Sequence, residues 1–395
     1  MAKEKVKKEE GEKEEVNVNE SNSSQNSAQK AIQGLLNDKR FKGTHFNDKK
    51  ERLNWHVSTG STTLDYILSS DGQPGLTSQI LKIYGEFGTG KSSFLLNIAK
   101  NFQKLGKNFF VLYADAEGRL SEKLIQQSGI DTSPDKWFVL KSNQAETVFG
   151  IIREILQKNN DLPEKDYMYY CILVDSLDGL VRAEDKIRDF DSQYKVAGNA
   201  LLTKTFVRTT SLPITYGKHL FLSSGQVISR IDVNSPGAKK TGPSGGKAIG
   251  YFSSTILEVI PTWTKTKIWE NPSGATIKEK GKEIGHYFEL NIDKSINNTK
   301  AGERGVMIPI KREFEPGEAI YREVECKDLM IMWELLKPAG MGRFEMDGSF
   351  SKQLTEANID HETKFHGDKS ILDHLESNPK LVDFAMTRLR SILFS

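Results

Sequence analysis

The segment GEFGTGKS, residues 85–92, places the strongest constraint on the fold of this chain. It matches the pattern G-x-x-x-x-G-K-[ST]. It lies between a short apolar run at 79–84 and a stretch at 92–104 whose apolar residues have helical spacing. A strand that turns through glycines into a helix presents backbone N–H groups and the positive end of the helix dipole, which together bind phosphate oxygens. The segment therefore predicts a binding loop for the phosphates of a nucleoside triphosphate.

Two side chains of this segment have separate predicted roles. Lys91 places a positive charge at the β- and γ-phosphates, and the hydroxyl of Ser92 binds Mg²⁺. A nucleoside triphosphate and Mg²⁺ are therefore the expected ligands. The predicted nucleotide-binding residues of the segment are Gly85, Glu86, Phe87, Gly88, Thr89, Gly90, Lys91, Ser92 and Ser93.

Short apolar runs recur along the chain, with helical segments between several of them, for example at 145–157. After the run at 79–84 they lie at 108–114, 169–174, 219–223 and 255–260. Nearly continuous apolar strands that alternate with helices are typical of a parallel sheet covered on both faces. The pattern predicts an α/β fold whose mostly parallel sheet is flanked by helices.

Composition excludes several other classes of protein. The 395 residues carry a net charge of +2, and no apolar run approaches the length of about 18 residues that a membrane helix needs. The beginning of the chain shows no secretory signal. Cys171 and Cys326 are too few for a disulfide framework or a zinc cluster, and they fit a reduced compartment such as the cytoplasm.

Two acidic side chains follow predicted strands at the edge where the glycine-rich loop lies. Asp175 ends the apolar run at 169–174, which is the expected place for a carboxylate that holds Mg²⁺ through water. Glu117 follows the run at 108–114 and is a candidate for the base that orients an attacking water. Asp115 is expected to be structural, as a turn or capping residue.

These motifs, in this order and spacing, resemble the RecA family of recombinases. The residues that carry the resemblance are the glycine-rich loop, the triplet 115–117, the segment 173–176, the entry segment 57–65, the segment 245–249 and the C-terminal stretch 371–393. The chain resembles in particular the phage recombinases of the UvsX type. The resemblance implies a RecA-type P-loop ATPase core and a DNA-dependent ATPase.

The resemblance also implies a function and partners. A protein of this family coats single-stranded DNA as a helical filament of many protomers and drives homologous pairing with double-stranded DNA. A single-strand-binding protein and a loading mediator are expected accessory partners, and no membrane is expected. The location would be cytoplasmic, in the host if a phage encodes the chain.

The resemblance assigns further residues to the nucleotide site. Glu117 matches the catalytic glutamate, and Lys294 resembles the first of two basic residues that reach the γ-phosphate of the neighbouring protomer. The second basic position is Ile296, a departure for which Lys300 or Arg304 are the candidate substitutes. The γ-phosphate sensor is Gln226 or Ser224, with Gln226 preferred. Leu124 stands where the family has an aromatic residue that stacks on adenine.

Two loops are expected to bind DNA. The first lies at 182–199 and contains Arg182, Lys186, Arg188 and Lys195. The second, at 228–247, is basic and glycine-rich, which suits salt-sensitive phosphate contacts without sequence preference. Its predicted DNA-binding residues are Arg230, Lys239, Lys240, Gly245, Gly246 and Lys247.

The chain is expected to have four parts. Residues 1–28 have the composition of a disordered tail, and 29–54 form a helix and linker that could dock on a neighbouring protomer. Residues 55–318 form the ATPase core, and 319–395 form a small C-terminal domain that is α/β or helical. Helical periodicity is expected at 29–40, 329–336 and 372–393.

Two alternative functions remain open from the sequence. A hexameric replicative helicase is built on the same core, but such helicases place a helical partner-binding domain before the ATPase and lack a comparable end piece. A regulatory ATPase of the same superfamily would have a basic loop that does not bind DNA. The polymer formed with ATP and DNA distinguishes them, because it is an open filament, a closed ring or neither.

Overall fold

The computed structural model describes residues 53–70, 72–187, 198–229, 241–244, 246–261, 266–272, 274–296 and 301–394. The predicted tail at 1–28 and the predicted helix at 29–40 lie outside these ranges. The strands are β1 Gln79–Gly85, β2 Phe109–Asp115, β3 Trp137–Leu140, β4 Tyr169–Asp175, β5 Leu220–Gly225, β6 Val227–Ser229, β7 Thr241–Pro243, β8 Thr255–Ile260, β9 Lys267–Trp269, β10 Glu283–Lys294, β11 Val306–Lys311, β12 Leu336–Pro338, β13 Arg343–Met346 and β14 Lys364–His366. The helices are α1 Thr62–Ile67, α2 Lys91–Gln103, α3 Glu122–Ser128, α4 Ala145–Asn160, α5 Ala183–Lys186, α6 Gly198–Tyr216, α7 Gly246–Phe252, α8 Ile277–Lys280, α9 Arg322–Met332, α10 Gly348–Glu356, α11 Gly367–Ser377 and α12 Pro379–Leu393.

Within the described ranges, nine strands form the main sheet. Eight of them follow the order β11-β10-β8-β1-β5-β4-β2-β3, and β9 pairs with β10. The six strands from β8 to β3 in that order run parallel, whereas β10 and β11 are antiparallel. The carboxyl ends of the parallel strands therefore lie along one edge of the sheet. The prediction of a mostly parallel sheet is confirmed.

Helices cover both faces of this sheet, which explains why its strands are almost continuously apolar. Leu81 and Ile83 of β1 belong to the hydrophobic cluster that includes the buried residues of α2. Ile80, whose side chain lies on the other face of β1, belongs to a second cluster with residues of α4, α6 and α7. Among the described helices none is both long enough and apolar enough to cross a membrane.

The end piece, which is the predicted C-terminal domain at 319–395, differs from its predicted helical pattern in two places. The predicted helix at 329–336 ends at Met332, because Glu334 adopts a left-handed backbone and Leu336 begins β12. The periodic stretch at 372–393 is split between α11 and α12, where Asn378 caps the second helix and Pro379 occupies its first turn. With the three-stranded sheet β12-β13-β14, the described part of this region is mixed α and β.

A third hydrophobic cluster, formed by residues between Cys326 and Leu389, lies in this end piece. Polar contacts join the end piece to the start of the core. The carboxylate of Glu325 accepts from the hydroxyl of Ser61 at 2.5 Å and from the backbone N–H of Thr63 at 3.0 Å. Arg390 donates to the hydroxyl of Thr62 at 3.3 Å. These bonds attach α9 and α12 to the beginning of α1.

Candidate nucleotide site

The glycine-rich segment forms the turn between β1 and α2, at the carboxyl edge of the parallel strands. Gly90 is the N-cap of α2 and has a φ of 85°, in the left-handed region that favours glycine. A glycine N-cap has no side-chain oxygen to accept from the first N–H groups of the helix. These donors are therefore available to an anion in the turn.

Lys91 follows directly and lies within the same turn. Its Nζ donates to the carbonyl oxygens of Gly85 at 3.1 Å and Glu86 at 2.5 Å. Burial lowers the pKa of the Lys91 ammonium, and the negative charges of Asp175 and Glu117 oppose that effect. A cation held close to two carboxylates at a helix N-terminus suits a bound polyphosphate.

Asp175 ends β4, and side chains from both neighbouring strands hold its carboxylate. The hydroxyl of Tyr113 on β2 donates to Oδ2 at 2.6 Å, and the hydroxyl of Ser224 on β5 donates to Oδ1. Burial and the charge of Asp175 raise the pKa of the Tyr113 hydroxyl, so this group remains a donor at neutral pH. The carboxylate predicted for Mg²⁺ is thus oriented toward the same edge of the sheet as Ser92.

Glu117 lies after β2 and enters the same region. The hydroxyl of Ser176 donates to its Oε1, and the guanidinium Nη1 of Arg119 is 3.1 Å from its Oε2. Asp115 has the structural role expected for it, because its carboxylate accepts from the backbone N–H groups of Arg119 at 3.1 Å and Leu120 at 3.3 Å.

The glycine-rich loop, Glu117 and Asp175 line one pocket with a volume of about 320 Å³. The lining residues are Phe87, Gly88, Thr89, Gly90, Lys91, Ser92, Ser93, Glu117, Arg119, Asp175, Ser176, Ser224, Gly225 and Gln226. The structure therefore brings together most of the predicted nucleotide-binding residues. The predicted residues Gly85 and Glu86 adjoin the pocket, where their carbonyl oxygens hold Lys91.

Both candidates for the sensor lie at the end of β5. Ser224 contacts the carboxylate of Asp175, whereas the backbone N–H of Gln226 donates to Oδ2 of Asp178 at 2.7 Å and its side chain is exposed at the pocket. The choice of Gln226 over Ser224 stays a prediction.

A buried lysine, which the sequence analysis did not single out, lies behind this sensor segment. Lys82 of β1 has no exposed surface, and its Nζ donates to the carbonyl oxygen of Ser244. The hydroxyl of Ser244 donates to Asp178 at 2.5 Å. Gly225 permits this arrangement, because a Cβ at that position would lie 2.9 Å from Cε of Lys82. Lys82 thus connects β1, the strand before the glycine-rich loop, to Ser244, the residue before the Gly245-Gly246 segment.

Lys294 lies away from this pocket in its own chain. It pairs with Ile256 near the start of β8, whereas Gly85 pairs with Val259, so the two sites are separated by about 10 Å along the strands. Its Nζ donates to the carbonyl oxygens of Gly250 at 3.2 Å and Tyr251 at 3.1 Å. A role at a γ-phosphate would therefore require a second protomer.

The other residues assigned by resemblance do not line the pocket or lie outside the described residues. Arg304 binds Asp293 at 2.7 Å beside β10, and Leu124 packs against the hydrophobic core. Neither lines the pocket described above. Ile296 is more than a third exposed, and Lys300 lies outside the described residues.

Most of the predicted DNA-binding residues lie outside the part of the chain that the structure describes. Arg230, Lys239, Lys240 and Gly245, with Arg188 and Lys195 of the first loop, lie outside the described residues. Gly246 and Lys247 begin α7. Arg182 forms ion pairs with Glu184 and with Asp185, the latter at 2.9 Å, which occupy its guanidinium.

The parallel sheet, the turn into α2 and the two carboxylates at the strand ends define a P-loop nucleoside triphosphatase. The family model of the RecA N-terminal domain matches residues 38–283, more than half of the chain. The chain belongs to the RecA family. Proteins of this family are DNA-dependent ATPases that act in DNA recombination and repair.

Several RecA proteins are similar to this chain. Protein RecA of Mycoplasma genitalium is 28% identical over 213 residues, which are 54% of this chain and 58% of that protein. Protein RecA of Malacoplasma penetrans is 27% identical over 365 residues, 89% of this chain and 98% of that protein. Protein RecA of Campylobacter lari is 26% identical over 310 residues, 77% of this chain and 79% of that protein. The match to Protein RecA of Mycoplasma genitalium spans less than two thirds of the length of that protein.

Proposed function

We propose that this chain is an ATP-dependent DNA recombinase, which forms helical filaments on single-stranded DNA and catalyses homologous pairing and strand exchange. The observation that carries the proposal is the single pocket in which the glycine-rich loop, Glu117 and Asp175 converge. The pocket supports ATP hydrolysis, and membership of the RecA family supports the coupling of that hydrolysis to DNA.

The donors present in the pocket fit Mg²⁺ and ATP. Backbone N–H groups at the start of α2 and the ammonium of Lys91 suit the phosphate oxygens, and the Ser92 hydroxyl and the Asp175 carboxylate are oxygen ligands of the kind that Mg²⁺ takes. Mg²⁺ bound by Ser92, and by Asp175 through water, would neutralise charge on the β- and γ-phosphates.

Glu117 is the proposed base. It orients a water for attack on the γ-phosphorus and takes the proton of that water, while the bond from this phosphorus to the β–γ bridging oxygen breaks and ADP leaves. The position of Glu117 supports this role. Its side chain is one-fifth exposed, and the Ser176 hydroxyl holds one carboxylate oxygen.

Signalling from nucleotide to DNA is proposed to pass from the residues at the end of β5 through Asp178 to Ser244. The sensor, Gln226 in our proposal, lies in the pocket, and its backbone shares Asp178 with Ser244. Ser244 comes directly before the Gly-Gly segment that closes the second loop. We propose that Arg230, Lys239, Lys240, Gly245, Gly246 and Lys247 contact DNA phosphates.

Filament formation completes the proposed site. Lys294, at the opposite end of β8 from the glycine-rich loop, is proposed to reach the γ-phosphate of the adjacent protomer, where a cation stabilises charge in the transition state.

The proposal also includes a UvsX-like phage subtype, with a single-strand-binding protein and a loading mediator as partners. We further propose an ATPase core at 55–318 and a C-terminal domain at 319–395. The separate hydrophobic cluster of the end piece supports this division of the chain.

The test is ATP hydrolysis measured with and without single-stranded DNA, with the same samples viewed by negative-stain electron microscopy. Stimulation together with open helical filaments is expected. Closed rings would favour a replicative helicase, and neither stimulation nor polymer would favour a regulatory ATPase. Lys91→Ala is the matched variant and should abolish hydrolysis, because it removes the charge at the phosphates. Normal turnover in that variant would refute the assignment of the site.

A further inference from the structure

The pocket contains a second cation besides Lys91, and the function proposed above gives it no role. Arg119 lines the pocket together with the glycine-rich loop, and its Nη1 lies 3.1 Å from Oε2 of Glu117. The positive charge of Arg119 repels the ammonium of Lys91 and contributes to the lowering of its pKa. Among the described lining residues, Lys91 and Arg119 are the two that carry a positive charge.

Hydrogen bonds hold the backbone of Arg119, whereas its side chain is largely exposed and contacts Glu117. The carboxylate of Asp115, at the end of β2, accepts from the backbone N–H groups of Arg119 and Leu120. Asp115 is buried and Arg119 is followed by the N-cap of α3 at Ser121, so the turn is anchored to the sheet on one side and to a helix on the other. The side chain of Arg119 is 76% exposed, which leaves its rotamer unrestricted by packing.

The contact with Glu117 brings the guanidinium close to the reacting atoms. A carboxylate that orients the attacking water lies about 3 Å from that water, and the water lies about 3 Å from the phosphorus in a reactive geometry. A guanidinium in contact with that carboxylate is therefore close enough for its exposed side chain to reorient toward the γ-phosphoryl oxygens. Arginine suits this position because its planar fork of donors matches phosphate oxygens.

We propose that Arg119 is a catalytic residue that contacts the γ-phosphate of ATP from within the same chain, exchanging its ion pair with Glu117 for phosphate oxygens. The exchange has two consequences. It places a cation where negative charge develops in the transition state, and it frees Oε2 of Glu117 to accept from the attacking water. The proposal rests on ATP hydrolysis at this site, as argued above.

Nucleotide affinity separates this role from a merely structural one. ADP lacks the γ-group that Arg119 is proposed to contact, whereas ATPγS has it. Arg119→Ala should therefore leave the affinity for Mg·ADP unchanged and reduce the affinity for Mg·ATPγS by about 10-fold or more. The kcat for ATP should fall by about 10²–10³-fold. Arg119→Lys should recover part of the loss, because it restores the charge without the fork. Lys123→Ala, which removes an exposed cation of α3 that does not line the pocket, is the matched control.

The same measurement in a Glu117→Gln background tests whether Arg119 acts on the phosphate or only through Glu117. Direct contact predicts that Arg119→Ala still weakens ATPγS binding relative to ADP when Glu117 is already replaced. An unchanged ratio of the two affinities in that background, or a wild-type or raised kcat in the single Arg119→Ala variant, would overturn the proposal. Lys91→Ala distinguishes this failure from a failure of the proposed function, because hydrolysis that persists in Lys91→Ala places the ATP site elsewhere.

Discussion

The buried lysine of β1 makes a measurable contribution to the pH dependence of stability. Lys82 has no exposed surface, and burial lowers the pKa of its ammonium to about 8, an effect that the charge of Asp178 partly opposes. The unfolded chain restores the ordinary pKa of 10.5. Lys82→Met removes the titrating group and keeps an unbranched side chain of similar length, so it isolates this contribution.

The folded and unfolded pKa values of Lys82 give the sign and the size of the change in the free energy of unfolding with pH. Below pH 8 the lysine is protonated in both states, and the folded state bears the full destabilisation of about 3 kcal/mol. Between pH 8 and 10.5 the unfolded state binds more protons, so the free energy of unfolding rises with pH by about 1.4 kcal/mol per pH unit. From pH 8 to pH 9.5 the wild-type protein should therefore gain about 2 kcal/mol relative to Lys82→Met.

Urea unfolding at several pH values between 7 and 9.5 provides the assay. Trp55 and Trp137 are buried in the same hydrophobic cluster as Leu81 and Ile83 of β1, so their fluorescence reports the unfolding of this sheet. Burial also lowers the pKa of Lys100 to about 8, but that group is present in both proteins and cancels. Lys123→Met, at an exposed position, should retain the wild-type slope. The same pH dependence in Lys82→Met and wild type would refute the reasoning.

Three further predictions concern the site and the DNA contacts. Glu117→Gln should bind ATP but stall hydrolysis and lengthen the occupancy of DNA, measured by single-turnover hydrolysis and by dissociation of a labelled oligonucleotide; an unchanged kcat would remove Glu117 from the mechanism. Replacing Arg230, Lys239 and Lys240 with glutamine should weaken single-strand binding and reduce the slope of log affinity against log salt by roughly 2; an unaltered slope would move the DNA site elsewhere. Lys294→Ala and Lys91→Ala proteins should each lose hydrolysis, and their mixture should regain it, because some interfaces combine an intact Lys91 with an intact Lys294; a mixture that stays inactive would argue against a contribution from the neighbouring protomer.

Local sequence predicted five of the six parallel strands of the main sheet, but it missed the short parallel strand β3 and the antiparallel strands. The run predicted at 255–260 agrees with β8, and the run predicted at 79–84 ends one residue before the end of β1. Both strands could be recognised because they are buried on two faces and are therefore almost continuously apolar. The long strand β10 was missed. Its burial alternates only in part and its sequence, EIGHYFELNIDK, mixes polar and apolar residues, since it lies next to the edge strand β11.

The site shows the same division between motif and surroundings. Lys91, Ser92, Glu117 and Asp175 belong to patterns that can be recognised along the chain, and all four line the pocket. Ser176 and Arg119 were not selected, although each lies within two residues of a predicted site residue. Their roles depend on side-chain direction, and a serine or an arginine in a turn carries no signal of what it contacts.

The phosphate-binding loop, most of the parallel core and the acidic residues of the site could be recognised along the chain, because they depend on short segments whose glycines and apolar runs permit few conformations. The groups that surround these segments became known from the folded chain. The contact between Ser224 and Asp175 and the buried bond from Lys82 to Ser244 join separate strands and loops through pairing of the sheet and close packing. Such contacts depend on which strands become neighbours, and β1, β5 and β4 are neighbours in space although long segments separate them along the chain.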